Sequence, residues 1–279
     1  MRFTMLDSKF YKSDFPNPLL EVNVWRKIEW MEASANRILT RPDLFFVPKV
    51  PGRDVAVRTQ KKQNVPRRGL SEKEGRAQLL HDLAGIELQA FELGIRTLIE
   101  FPEAPREFRE ELLRITLEES KHLKLCLEGL DHLDFQFGHW DTHLNLWNSV
   151  CEKDSFIDRI VIVHRYLEGA GLDASELLLR RLSGVGDSVV TSVVKVIADE
   201  EVSHVQFGSF WYKKLLREEK KDPDLDFKLR MERLKVQIPA RQIPLAREQR
   251  IKAGFSVSEL ETLSKVQTYF REEPPLRPR

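Results

Sequence analysis

The chain has 279 residues, 41% of them hydrophobic and 32% charged, with 13 Gly and 14 Pro, a balance that excludes a collagen-like or disordered chain and allows one large core with extensions. A formal net charge of +1 gives no global reason to invoke a nucleic acid or membrane surface, and the apolar runs are far short of the roughly 20 residues a bilayer span needs. Two cysteines, Cys126 and Cys151, and an opening stretch without an apolar signal-type region set the expectation of a reducing, cytoplasmic setting.

Residues 1–75 are rich in Pro and aromatic residues ("DFPNPLL", "LFFVPKVPGRD", "QNVPRRGL"). One short helix is predicted over 23–39, and the rest is expected to form an N-terminal arm wrapping a helical bundle. From 76 to 219 the texture changes to long helical periodicity, interrupted at 100–105, 134–147 and 182–188, so that four helices are predicted. In the first, Leu79, Leu83, Ile86, Ala90, Gly94 and Thr97 recur in steps of three and four, with Glu87 on the same stripe. The second steps through Leu112, Ile115, Glu119, His122 and Cys126; the third through Ile157, Val161, His164, Glu168 and Gly171; the fourth through Val190, Val194, Ile197, Glu201, His204 and Gly208. Short first and third connections suit antiparallel neighbours, while a long second connection suits a crossover between two helix pairs. Residues 220–279 read as a C-terminal helical extension, in which Ser256 and Glu259 have the spacing of a capping box.

Each core stripe carries a carboxylate near its middle, and two of them carry Glu-x-x-His. Positions i and i+3 share a helix side, so Glu119 with His122, and Glu201 with His204, each present a carboxylate and an imidazole together. Glu87 to Glu119 is 32 residues and Glu168 to Glu201 is 33, so a shift of 81 or 82 maps one helix pair onto the other, implying two-fold pseudosymmetry. A lone Glu from each of two helices and Glu-x-x-His from the other two is the pattern of ferritin-like di-iron or di-manganese carboxylate proteins. A single Glu-x-x-His is common by chance, and a single Glu on a helical stripe is usually a boundary residue; the weight lies in the four together. Unpaired, four carboxylates in an apolar core would each cost several kcal/mol or would protonate, whereas two divalent cations neutralise them. Oxygen and imidazole donors without thiolate suit iron or manganese. Cys126 lacks a partner at a metal-binding spacing and is assigned to the core.

Glu118 and Glu200 immediately precede two of these glutamates, and either could accept a hydrogen bond from the far N–H of a ligand imidazole; the bland alternative is a solvated charge. His164 and His81 lie near Glu168 and Glu87 in sequence and are candidates to approach the site. His132, His139, His143, Trp140 and Trp147 fall in the crossover, where they would cover a substrate mouth or simply dock the loop.

The words "PGRD", "LLHDLAGIELQAF", "ITLEESKHLKL", "HLNLW", "LEGAGLDAS", the "GD" at 186 and 187 and "DEEVSHVQFGSFWY" resemble a bacterial branch of the ferritin-like superfamily catalogued as a domain of unknown function. The match covers roughly residues 51–215. The resemblance implies an all-α, ferritin-like up-down-down-up four-helix bundle over 76–219 with a di-iron type centre at Glu87, Glu119, His122, Glu168, Glu201 and His204, and no settled reaction. Two departures stand beside ligands: Gly85 replaces a histidine of typical members, and Gly169 and Ala170 replace an Ala-Arg pair. A more distant likeness is to a di-iron tRNA hydroxylase.

The leading expectation is an oxidoreductase with two Fe ions (alternatively Mn, or mixed Mn/Fe) that activates O2 to oxidise a small organic substrate, with electrons from an external donor and with a homodimer as one admissible assembly. The alternatives are a ferroxidase or peroxide-detoxifying protein and a tRNA-modifying or RNA-associated protein. The last draws on charge: residues 49–76 and 227–252 each sum to +6 and residues 77–226 to −12. Two basic flanks could grip phosphates. The favoured reading is that they pair with the acidic segment they wrap.

Overall fold

A computed structural model describes residues 16–60 and 69–272. Most of "QNVPRRGL", with Arg67 and Arg68 of the first basic flank, lies outside the described residues, as does the last part of the C-terminal extension. The fold is helical: α1 (Val24–Thr40), α2 (Lys73–Glu100), α3 (Arg106–His132), α4 (Phe156–Ile160), α5 (Glu168–Leu182), α6 (Ser188–Glu218), α7 (Pro223–Leu234), α8 (Arg247–Lys252) and α9 (Val257–Glu272). Among the described residues there is no strand, only an isolated bridge between Thr59 and Thr142 that ties the N-terminal segment to the crossover.

The helix ends follow local side-chain chemistry. Asn23, Asp187 and Asp222 cap α1, α6 and α7 by accepting from the backbone N–H three residues on. At α9 the Ser256 hydroxyl accepts from Glu259 N–H (3.0 Å) while the Glu259 carboxylate accepts from Ser256 N–H (2.8 Å), a complete capping box.

α2 lies along α3, α5 lies along α6, and contacts between α3 and α6 join the two pairs. The approach of α2 to α3 is close because Gly94 has no side chain: a Cβ there would lie 2.2 Å from the Thr116 hydroxyl. α1 packs on α2 and α3, α7 packs on α6, α8 packs on α5 and α6, and α9 packs on α7.

One prediction needs correction. The third long helix is not regular, because between α4 and α5 the segment Val161–Leu167 winds as a π-helix. Such widened turns collect at functional sites, and the 3.6-residue stepping of Ile157, Val161, His164 and Glu168 gives no sign of this one. Two features hold it. Gly208 of α6 lets His164 approach, since a Cβ there would sit 2.5 Å from the His164 Cβ and 3.0 Å from its carbonyl oxygen. Arg165, fully buried, makes two hydrogen bonds to Glu259 (2.7 and 2.8 Å) inside a cage of Tyr212, Phe227 and Phe255, with ring centroids 4.2–4.8 Å from its guanidinium carbon. The capping glutamate of α9 thereby also fixes the turn that leads into Glu168.

The crossover docks through its aromatics. Trp147 is buried, donates its indole N–H to the Lys49 carbonyl (3.1 Å) and lies under the Arg96 guanidinium. Trp140 packs edge-on against His81 and stacks on Phe135. His132 and His139 are exposed. Gln89 of α2 accepts from the backbone N–H groups of Leu146 and Trp147, pinning the loop where it passes the core.

Candidate metal centre

The four long helical stretches bring Glu87 (α2), Glu119 and His122 (α3), Glu168 (first residue of α5), and Glu201 and His204 (α6) into one buried region, none exposing more than 7% of its surface. Two groups could each hold a metal ion. Donor atoms of Glu87, Glu119 and His122 lie within 4.8 Å of one another, as do those of Glu119, Glu201 and His204. Glu119 belongs to both. In the first group His122 Nδ1 stands 3.5 Å from Glu87 and 3.4 Å from Glu119; in the second His204 Nδ1 stands 2.7 Å from Glu119 and 3.8 Å from Glu201. Glu168 falls outside both groups. Its Oε1 lies 2.8 Å from His164 Nδ1, and its Oε2 is buried without a hydrogen-bond partner among the described residues.

The far ring nitrogens are held crosswise. His122 Nε2 meets Glu200 at 3.0 Å, and His204 Nε2 meets Glu118 at 2.9 Å, each carboxylate lying on the opposite helix. Lys121 anchors Glu200 and Arg114 anchors Glu118. This reciprocal pairing requires α3 and α6 to run antiparallel. It also sets both Nδ1 atoms toward the carboxylates, which is the work of an outer carboxylate in a metal site. His81 lies elsewhere: its Nε2 accepts from Gly138 N–H (3.0 Å), and burial lowers its pKa to about 4, so it is a neutral anchor for the crossover.

The electrostatics show what this packing costs without a cation. Burial raises the Glu87 carboxyl to about 7, against the pull of His122, and burial followed by repulsion from Glu119 pushes Glu201 well up. Burial would also raise Glu119, but two flanking imidazoliums outweigh it and hold Glu119 well below the carboxylate range. Burial disfavours the imidazoliums, yet the surrounding carboxylates lift His122 to about 11 and His204 well above the usual range. Both carboxylate oxygens of Glu119 and both Nδ1 atoms nevertheless lack hydrogen-bond geometry to any partner among the described residues. Buried donor atoms of this kind normally have partners. Their convergence, in an oxygen and nitrogen set without thiolate, fits a hard or borderline divalent cation. Cys126 is a buried free thiol whose pKa is raised by burial and by Glu87, so it stays protonated and packs as core.

Beside the cluster lies a cavity of about 80 Å³, bounded by Glu87, Glu119, Glu168 and Glu201 on one side and by apolar side chains such as Leu83, Ile86, Leu146, Val163 and Ile197 on the other. Gly171 lines it, and a Cβ there would lie 2.7 Å from Glu201 Oε1, so the glycine leaves room for that carboxylate. Arg241, from the loop after α7, also reaches this cavity. Sequence reasoning missed Arg241, Gln89 and the Arg165–Glu259 pair, because each acts across elements with no fixed spacing between them. A fourth omission is the fully buried Glu92 of α2, bonded by buried Lys27 and partly buried Arg53, which fastens the N-terminal segment to α2.

A family model described as "Protein of unknown function (DUF455)" matches residues 21–261. The chain belongs to that family. This DUF455 chain is similar to an uncharacterized protein of Haemophilus influenzae, 30% identical over 213 residues, which span 74% of this chain and 73% of that protein. No solved structure matches it. The matched segment spans Glu87, Glu119, His122, Glu168, Glu201, His204 and Arg241.

Proposed function

We propose that the chain is a ferritin-like di-metal protein that uses two iron ions, or manganese in one or both places, to activate O2 and oxidise a small organic substrate. The observation that carries this reading is the pair of buried donor groups sharing Glu119, with their orphaned atoms facing an apolar cavity. Glu87 and His122 would hold one ion, Glu201 and His204 the other, and Glu119 would bridge them. Glu168, with one oxygen engaged by His164 and one free, would complete the set on the cavity side. Bound there, the metal pair supplies the electron exchange and O2 binding that no side chain of the chain provides.

The protein's own contributions are positional. Glu200 and Glu118 would hold a proton on each Nε2, so that a cation displacing the Nδ1 protons would meet the Nδ1 lone pairs. His164 orients Glu168 from within the π-helix. The apolar cavity wall excludes bulk water, so that an oxidising centre meets substrate and not solvent. The basic segments support an enzyme reading over an RNA-associated one, because much of their charge is used internally. Arg53 binds Glu92 and Arg76 binds Asp187; Arg230 and Arg233 bind Asp158, and Arg250 binds Asp173.

The test is anaerobic reconstitution with Fe(II), metal counting, and exposure to O2 with ultraviolet-visible spectroscopy. About two metals per chain are expected, with O2-dependent bands that vanish in the Glu119→Ala, His122→Ala double variant. Hundreds of irons per assembly would mean storage. Absence of metal from the wild type, or equal metal in the variant, refutes the proposal.

A further inference from the structure

Among the described residues Arg241 is the one cation on the cavity wall, and its charge is unspent. The residues bounding the cavity are otherwise the cluster carboxylates, small residues and aliphatic side chains. The Arg241 side chain is half-buried, its Nε is enclosed without a hydrogen-bond partner, and burial lowers its pKa. The carboxylate whose charge bears on it is Asp173, but Asp173 is already engaged by another guanidinium. Its two oxygens accept from Arg250 Nε (2.9 Å) and Nη2 (2.7 Å), and Oδ1 also accepts from Ala246 N–H (2.7 Å). The Tyr166 hydroxyl is committed as well, donating to the Pro239 carbonyl (2.7 Å). Two guanidiniums facing one carboxylate leave this corner with one positive charge in excess.

A guanidinium drawn into a wall and left without an anion costs free energy, and proteins keep such groups where a ligand completes them. The crossover approaches the same point: His143, its pKa lowered by burial and by the Arg241 charge, stays neutral there. The excess of a single charge matches a monoanion, and the planar fork of one arginine matches a carboxylate in particular. A phosphate dianion would call for a second cation. The cavity volume of about 80 Å³ holds roughly five to eight water-sized groups, enough for a short aliphatic chain.

We infer that the substrate of this site is a short aliphatic carboxylic acid, held by its carboxylate on Arg241 with its hydrocarbon chain directed along the apolar wall toward Glu168 and Glu201. The inference rests on the cavity being the substrate pocket of the metal centre proposed above. Arg241 is a binding and orienting residue in it: it keeps the carboxylate on the guanidinium so that the chain carbons face the cluster.

The experiment is calorimetric titration of the full-length chain, metal-free and metal-loaded, with butanoate, hexanoate and octanoate, the matching alcohols and hexyl phosphate. Wild type, Arg241→Gln and Arg241→Lys are compared. Carboxylates are expected to bind at least tenfold more tightly than the alcohols in both metal states. Arg241→Gln should lose that preference while keeping wild-type metal content and alcohol affinity, and Arg241→Lys should keep part of it. Equal binding of acid and alcohol, unchanged carboxylate binding by Arg241→Gln, or tighter binding of hexyl phosphate overturns the inference, as does failure of every acid to bind. Carboxylate binding seen only with metal and independent of Arg241 overturns it too, since the acid would then ligate the ions. Because the metal-free arm needs no metal, a wild type that binds acids through Arg241 but takes up no iron refutes the di-metal reading alone.

Discussion

Gly171→Ala separates the requirements of the metal centre from those of the fold. The added Cβ would lie 2.7 Å from Glu201 Oε1, 3.2 Å from Cδ and 3.4 Å from Cγ. To reach ordinary contact the carboxylate oxygen must retreat by about 0.7 Å, from 2.7 to 3.4 Å. In the metal-free chain that is cheap, because the obstacle is the end of a flexible side chain. Replacing Gly by Ala within α5 stabilises the helix by roughly 0.5–1 kcal/mol, so the melting temperature of metal-free protein should hold or rise by about 1–4 °C. Metal–oxygen distances tolerate only about 0.2 Å, so the same displacement takes Glu201 out of coordination. Affinity for one of the two ions should fall at least tenfold, about 1.4 kcal/mol, while the other ion, on Glu87 and His122, binds nearly as before. Differential scanning calorimetry of the metal-free protein and anaerobic Fe(II) titration read the two effects separately. Two ions bound at wild-type affinity would refute the placement of Glu201 as a ligand. A melting temperature lowered by more than about 5 °C would show that Gly171 serves the fold instead.

The remaining predictions concern the surroundings of the site. Glu118→Gln and Glu200→Gln should each weaken metal binding by roughly 10–100-fold, the first through His204 and the second through His122, with little change in circular dichroism. Metal uptake should release protons and tighten as pH rises from 6 to 8. Without metal, His122 keeps its proton up to about 11 and Glu87 keeps one up to about 7, and a cation must displace both. Titrations in two buffers of different ionisation enthalpy count those protons, and a pH-independent affinity would contradict the assignment. Glu259→Ala should cost about 3–5 kcal/mol, lowering the melting temperature by roughly 6–20 °C, because it strands Arg165 in the core. A combined Arg165→Met, Glu259→Leu variant should recover most of that loss, and a single variant as stable as wild type would show the pair to be inert.

The long helices were legible in the sequence because period and punctuation agree. The break at 100–105 matches the end of α2 at Glu100, and the break at 182–188 matches the start of α6 at Ser188. The convergence of Glu87, Glu119, His122, Glu201 and His204 follows the same logic, since positions three and four apart on a buried stripe must meet in the core, while Glu168 stands outside both donor groups. What escaped was whatever depends on an extra residue in a turn or on a contact between distant segments. The π-helix at Val161–Leu167 shifts registry by less than the tolerance of a hydrophobic stripe, so its residues satisfy the α pattern and still wind differently. Arg241 sits in "IPARQIPLAR", between prolines that predict only a loop; its charge counts toward a basic segment and carries no hint that one guanidinium turns inward. His81 misled for the converse reason. Its sequence position sets it near Glu87, while the aromatic crossover claims its ring.

The internal repeat explains why the site has two similar ion-sized groups and yet one open side. A shift of 81 or 82 residues relates Glu118, Glu119 and His122 to Glu200, Glu201 and His204, and those members remain equivalent in space, down to the crossed bonds between each outer carboxylate and the opposite imidazole. The equivalence ends at the lone glutamates. Four residues before Glu87 stands Leu83, an apolar wall residue, and Glu87 lies within the first group. Four residues before Glu168 stands His164, which draws Glu168 Oε1 to 2.8 Å and out of the second group. That imidazole in place of leucine, within a widened helical turn, leaves the lone glutamate of the second half outside its three-residue group and on the cavity wall. Ala170 and Gly171 of that same half line the cavity together with Glu168 and Arg241. Under the function proposed above, that asymmetry suits a centre that reacts with a bound molecule better than one that passes ions through two equal sites.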